Sequence, residues 1–293
     1  YLFSKKSSVF ASFFPFCIPH MHSCYCFNLP LISLLKYQIM PEFFEIIILS
    51  AIQGISEFIP VSSSAHLYLI SEIQNFEIKS LLTDVSLHFG SLLAILFYFR
   101  EDFFKLFKDK KLLKLLIYGS LPLIIVGFIV YKSGLINFFR NIEIIAWATI
   151  IFAIFLYIAD KFSIRKKIDT DLNLKSIFII GIFQVLALIP GVSRAGIVIT
   201  AGRFLNFDRY DSTKISFYLS VPAIAGATFL NLKELTFSNI ELNFLVLVTI
   251  ISSFIFSYTT IKYFLIFVSK FNMNFFVIYR ICLGLILFWF IYT

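Results

Sequence analysis

From residue 43 onward the chain alternates between long apolar runs and short polar loops. The apolar segments fall at about 43 to 59, 61 to 71, 83 to 99, 112 to 131, 142 to 159, 176 to 189, 191 to 205, 213 to 231, 244 to 261 and 274 to 293. Six of them can cross a hydrocarbon layer of about 30 Å as helices. The other four are too short, and they form two pairs that meet at Pro60 and at Pro190-Gly191, where proline stops a helix. The pattern predicts an all-α polytopic membrane protein, with six full transmembrane helices and two re-entrant helical hairpins. A β-barrel is excluded because it needs short alternating strands, whereas these runs are continuous.

Composition agrees with that reading. Hydrophobic residues make up 59% of the chain and charged residues 14%, against roughly a quarter charged in soluble domains, which excludes a soluble globular protein. Lys and Arg number six, five, three and two in the loops 100–114, 160–175, 203–214 and 262–272, while the opposite loops hold Lys79, Lys132, Arg140 and Lys233. The richer side is expected to be cytoplasmic. With that parity the first hairpin enters from outside and the second from the cytoplasm. The net charge of +8 needs no nucleic-acid partner, since loop retention and anionic membrane lipids account for it; a homodimer is compatible with the sequence.

Residues 1–39 read differently from the rest, with Pro15, Pro19 and Pro30 among scattered Ser, Cys and His. They are expected to be a mis-assigned or non-essential extension, with the working chain starting at Met40 or Met21. Cys17, Cys24 and Cys26 lie near His20 and His22, too tightly spaced for a zinc-finger pattern. Residues 40–293 then form one membrane-embedded domain with repeat halves at about 41–160 and 175–293. Ile59-Pro60-Val61-Ser62-Ser63-Ser64-Ala65 aligns with Ile189-Pro190-Gly191-Val192-Ser193-Arg194-Ala195 at Ile, Pro, one Ser and Ala. Inverted repeats with broken helices bind ions and anions where the half-helix N-termini meet.

The first break carries Gln53, Glu57, Ser62, Ser63, Ser64 and His66 within fourteen residues. Gln53 and Glu57, four apart, share a helix face, and the serines occupy the turn or cap after the proline. The second break supplies Gln184, Ser193 and Arg194, and an arginine so deep in an apolar stretch demands an anion or a wet cavity. Glu57 and Arg194 can instead form a structural ion pair, and each serine taken singly can bond its own backbone or glue helices together. His88 reads as a structural histidine, and Asp84 and Arg280 as residues that snorkel to the interface.

These segments resemble the signatures of the undecaprenyl-diphosphatase family, also called the bacitracin-resistance proteins, of bacterial inner membranes. The two motifs are Pro-Val-Ser-Ser-Ser/Thr-x-His, here Pro60 to His66, and Pro-Gly-x-Ser-Arg-Ser-Gly, here Pro190 to Gly196. The similarity runs from about Met40 to the C-terminus and includes Ser86 to Ser91, Phe183-Gln184 and Val221 to Ala227. It implies hydrolysis of a polyprenyl diphosphate lipid to the monophosphate and phosphate, recycling the carrier for cell-wall synthesis and conferring bacitracin resistance. It further implies a divalent cation, Mg²⁺ or Ca²⁺, and an active site facing the periplasm. On that reading Glu57, Ser63, His66 and Arg194 are catalytic, Ser62, Ser64, Ser193, Gln53 and Gln184 bind phosphate, and Glu57 holds the cation. Ser63 is the expected nucleophile, with His66 or Glu57 as base, and attack by a water that His66 activates is the alternative route.

Two positions depart from the family pattern. Gln53 stands where the family often has a second glutamate, and Ala195 replaces the serine after the motif arginine. One carboxylate plus substrate phosphates can still hold Mg²⁺. The type-2 phosphatidic-acid phosphatase pattern is excluded, since it requires a histidine after Ser-Arg and none follows Arg194. A secondary transporter or lipid-phosphate flippase is the surviving alternative, because inverted hairpins are transporter architecture.

Overall fold

The computed structural model describes residues 29–73, 81–105, 110–139, 141–234 and 244–292. The chain forms two compact units, Tyr1–Ile39 and Met40–Thr293. The extension read over residues 1–39, with its cysteines and histidines, lies outside the described residues through residue 28. The second unit holds every candidate site residue.

Regular structure among the described residues is helical, apart from one isolated bridge between Lys166 and Phe207. In order the helices are α1 Leu29–Ser56, α2 Ser63–Ile73, α3 Leu81–Tyr98, α4 Arg100–Lys105, α5 Lys110–Ser133, α6 Ile136–Phe139 and α7 Ile142–Asp160. There follow α8 Ile168–Asp171, α9 Leu174–Val185, α10 Arg194–Phe204, α11 Arg209–Glu234, α12 Phe244–Lys270 and α13 Asn274–Tyr292. Among the described residues six stretches are long and apolar enough to cross a membrane: α3, α5, α7, Arg209–Leu230 of α11, α12 and α13. They coincide with the six expected spans, and the chain is an all-α polytopic membrane protein. Helix α12 continues past residue 261 to Lys270, because Lys262 does not interrupt an otherwise favourable run.

Small residues set the helix packing, as they must where lipid gives no hydrophobic push between helices. Ser91 Oγ lies 3.2 Å from Ser253 Oγ and 2.9 Å from Ser257 Oγ, joining α3 to α12. Buried hydroxyls elsewhere turn back on their own helix, as Thr149 Oγ1 does to Ile145 O at 2.7 Å and Thr200 Oγ1 to Gly196 O at 2.7 Å.

The two broken helix pairs open toward opposite ends of this bundle. Ser50 on α1 reaches Thr249 O near the start of α12, and Ala65 and Leu69 on α2 pack with Ile142 at the start of α7 and Leu287 near the end of α13. The second pair opens at the other end. There Ile168 N donates to Asp211 Oδ2 at 3.0 Å, and the α10 residue Arg203 donates to Asp160 O at 3.0 Å and Phe162 O at 2.6 Å at the close of α7. Asp160 ties that end together. Its carboxylate accepts Arg209 Nε at 2.6 Å, Arg209 Nη2 at 3.0 Å and Met273 N at 3.1 Å. With Arg203 and Asp160 almost wholly buried, the network holds the second pair against α7, α11 and α13.

Candidate active site

Both breaks are built alike. Helix α1 ends at Ser56, and after Pro60 the chain turns through Ser62, at φ +78°, into α2. Helix α9 runs through a 3₁₀ turn at Leu186–Leu188, passes Pro190 and Gly191, and turns through Ser193, at φ +68°, into α10. A serine held in the left-handed region costs about 1–3 kcal/mol, so the surrounding structure imposes both turns. The structural repeat therefore pairs Ser62 with Ser193 and Ser63 with Arg194, one residue off the alignment read from sequence. Gly191 is the extra residue. Its φ of +96° suits glycine, and a Cβ there would collide with Ile145 O of α7.

The tips touch each other. Gly191 N donates to Ser64 Oγ at 3.0 Å, and Ser64 Oγ lies 3.0 Å from Ser62 Oγ. Ser193 Oγ accepts Gly196 N at 3.1 Å and caps α10. Between the tips lies a cavity of about 190 Å³, walled by Glu57 and Ser62 to Ser64 on one side and by Ser193 and Arg194 on the other. Ala187 to Pro190 and Ser56 complete the wall. The N-terminal turns of α2 and α10 both border it, so the positive ends of two helix dipoles converge on one space.

Arg194 and Glu57 form an ion pair across that space, 2.8 Å from Nη2 to Oε1. Nη2 also reaches Glu57 O at 3.3 Å, and Nη1 donates to Ser216 O at 3.1 Å. The other oxygen of Glu57 is held from behind, since Gln53 Nε2 donates to Oε2 at 3.1 Å and stands 3.1 Å from His88 Nδ1. An amide with both hydrogens so used makes His88 Nδ1 an acceptor. Gln53 is thus a buried support for Glu57 and does not line the cavity.

His66 stands one layer back as well. Its Nδ1 lies 2.6 Å from Ser62 O, and a carbonyl only accepts, so Nδ1 carries the proton. Its Nε2 then accepts Tyr279 OH at 2.5 Å, the two rings stacked at 5.6 Å. Gln184 is wholly buried on α9, away from the cavity wall, and neither amide atom has a hydrogen-bond partner among the described residues. The structure thus brings Glu57, Ser62, Ser63, Ser64, Ser193 and Arg194 to one cavity and places Gln53 and His66 behind it.

Sequence reasoning did not single out Tyr279, and it put Arg280 at the membrane interface. Arg280 is instead completely buried and donates through Nη2 to Gly191 O at 3.1 Å and Val192 O at 2.9 Å. Position six residues into α13 suggests the interface, but the face on which a residue points decides its depth. No sequence signal marks that face, because α13 is apolar all round.

Hydroxyls, a guanidinium and two helix N-termini around a small cavity are suited to a phosphate group, with the adjoining Ala187 to Ile189 offering an apolar edge. The chain matches the model of the family described as "Bacitracin resistance protein BacA" over residues 46–286. Undecaprenyl-diphosphatase of Pelagibacter ubique is 57% identical over 250 residues, covering 85% of this chain and 98% of that protein. Undecaprenyl-diphosphatases of Elusimicrobium minutum and Alteromonas mediterranea are 42% and 39% identical, covering 82% and 85% of this chain and 95% and 99% of theirs. A match of that extent makes this chain a member of the bacitracin resistance protein family.

Proposed function

We propose that the chain hydrolyses undecaprenyl diphosphate to undecaprenyl monophosphate and inorganic phosphate at the cavity between the two breaks. One observation carries the reading. Ser63, Arg194 and Glu57 meet at the N-termini of α2 and α10, in a chain whose relatives are named undecaprenyl-diphosphatases. A transporter would not need a serine nucleophile beside an arginine–carboxylate pair, and that reading is not favoured.

Ser63 Oγ attacks the terminal phosphorus, the bridging P–O bond breaks, and the monophosphate lipid leaves with the bridging oxygen. Water then attacks the phosphoserine, releasing phosphate and restoring the hydroxyl. Glu57 lines the cavity with Ser63 and is the better-placed base, because His66 lies outside the cavity wall. His66 then acts by holding the Ser62 carbonyl in the strained turn that aims Ser63. Arg194 neutralises charge on the phosphoryl oxygens, and the N–H groups opening α2 and α10 bind them.

A divalent cation, Mg²⁺ or Ca²⁺, fits here only as one carried by the substrate. Among the described residues no group of three or more His, Cys, Asp or Glu could hold a metal, and Glu57 already serves Arg194 and Gln53. Glu57 would be its protein ligand beside the diphosphate oxygens, and the ion would supply charge neutralisation.

The broken pairs are read as re-entrant hairpins entering from opposite faces of a bacterial inner membrane, with the active site open to the periplasm. In support, the two pairs open toward opposite bundle ends, and the end bearing Lys161, Arg165, Lys166 and Lys167 is the basic one. The test is phosphate release from undecaprenyl diphosphate by purified full-length protein in detergent, with and without a chelator. Release that a chelator suppresses supports the reading, and no release from folded protein overturns it.

A further inference from the structure

Among the described residues two arginines are almost wholly buried, Arg203 and Arg280. Arg203 has a carboxylate beside it, Asp160, at 3.7 Å. Arg280 forms no ion pair with any described residue. Its Nη2 serves the carbonyls of Gly191 and Val192, while its Nε and Nη1 find no hydrogen-bond partner among the described residues. A buried guanidinium without a counter-ion is costly and calls for a compensating role.

Its location supplies one. Gly191 and Val192 lead directly into Ser193 and Arg194, so two hydrogen bonds from one nitrogen of the rigid guanidinium fork, Nη2, hold the turn that presents both residues to the cavity. Nη1 lies under the first turn of α10, where a Cβ on Gly196 would stand 2.9 Å from it and 3.2 Å from Ser193 Oγ. The guanidinium therefore adds its charge beside the positive end of α10 without lining the cavity. Arg194 is paired with Glu57, whereas Arg280 has no carboxylate beside it among the described residues.

We propose that Arg280 is a positioning residue for the phosphate-binding turn, holding Gly191 to Arg194 in place and biasing the cavity toward anions. The inference rests on the phosphatase reading, and it names a residue of α13, a helix outside both broken pairs, as a necessary part of the site.

The test compares the wild type with Arg280→Met and Arg280→Lys as full chains in detergent, using undecaprenyl diphosphate as substrate and inorganic phosphate as competing product. The inhibition constant for phosphate does not depend on how much of a preparation is active, so a merely structural role would leave it unchanged. Arg280→Met is expected to lower kcat/KM about 100-fold and to raise the phosphate inhibition constant about tenfold. Arg280→Lys keeps the charge but not the fork, so its inhibition constant should stay within about threefold of wild type while kcat remains low. A wild-type inhibition constant and KM in Arg280→Met overturn the proposal. If that variant does not fold, Gly196→Ala displaces Nη1 with the arginine in place, and a wild-type inhibition constant there overturns it equally. Failure of the wild type to release phosphate would be distinct, since it removes the phosphatase reading itself.

Discussion

Gln53 Nε2 stands 3.1 Å from Glu57 Oε2, so an amide occupies one oxygen of the carboxylate that faces Arg194. A donor at that position hydrogen-bonds the carboxylate and leaves a single carboxylate in the pair of helix positions. Glutamate in its place would exchange the donor for a second carboxylate on the same face. Gln53→Glu is therefore expected to lower the divalent-cation concentration giving half-maximal phosphate release by about tenfold, because a second charged ligand strengthens cation binding. An unchanged half-maximal concentration would count against the arrangement.

His66 and Tyr279 share a hydrogen bond but are expected to differ in consequence. His66→Ala frees the Ser62 carbonyl and with it the turn at φ +78°, so kcat should fall about 100-fold. Tyr279→Phe removes one hydroxyl and should cost about 1 kcal/mol of stability, with turnover within a few-fold of wild type. Steady-state kinetics on both variants decide, and the reverse order would show that Tyr279 takes part in proton transfer.

Ser193 caps α10 from a left-handed backbone conformation. Ser193→Ala loses the cap and keeps the steric cost of positive φ, whereas Ser193→Gly loses the cap but relieves that cost. Thermal unfolding in detergent should place Ala below Gly by about 1 kcal/mol. Equal stabilities would mean that the turn is not imposed by its surroundings.

Asp160 is nearly buried beneath Arg203 and Arg209. Asp160→Ala leaves the Arg209 guanidinium and the Met273 amide without their acceptor and the buried Arg203 without a neighbouring carboxylate, which should cost about 3 kcal/mol or more. The loss should show as a lower unfolding midpoint, with KM for the protein that remains folded unchanged. A shift in KM would tie this end of the bundle to the site.

Much of this architecture is legible along the chain. Six apolar runs and two proline breaks suffice for the spans and the tips, because helix length and proline sterics act locally. Glu57, the Ser62–Ser64 run and Arg194 stand out because polar groups in apolar stretches are costly. What is not legible depends on the direction of side chains around helices. Gln53 and His88 are thirty-five residues apart and meet only when α1 lies beside α3, and Arg280 points inward from an evenly apolar helix. The repeat register slips by one at Gly191, since the loop length is set by the close approach to Ile145 on α7 and not by the motif. Asp160 and Arg209 read as loop charges for the same reason, their pairing arising only when the end of α7 and the start of α11 come together.

The central claim is that Arg194 and Ser63 act on one phosphate between the two tips. The most direct measurement is phosphate release from undecaprenyl diphosphate by wild type, Arg194→Ala and Ser63→Ala, each verified as folded and monodisperse in detergent. Loss of about 1000-fold or more in both variants is the expected result. Wild-type release by Arg194→Ala would contradict the claim and move the chemistry elsewhere in the molecule.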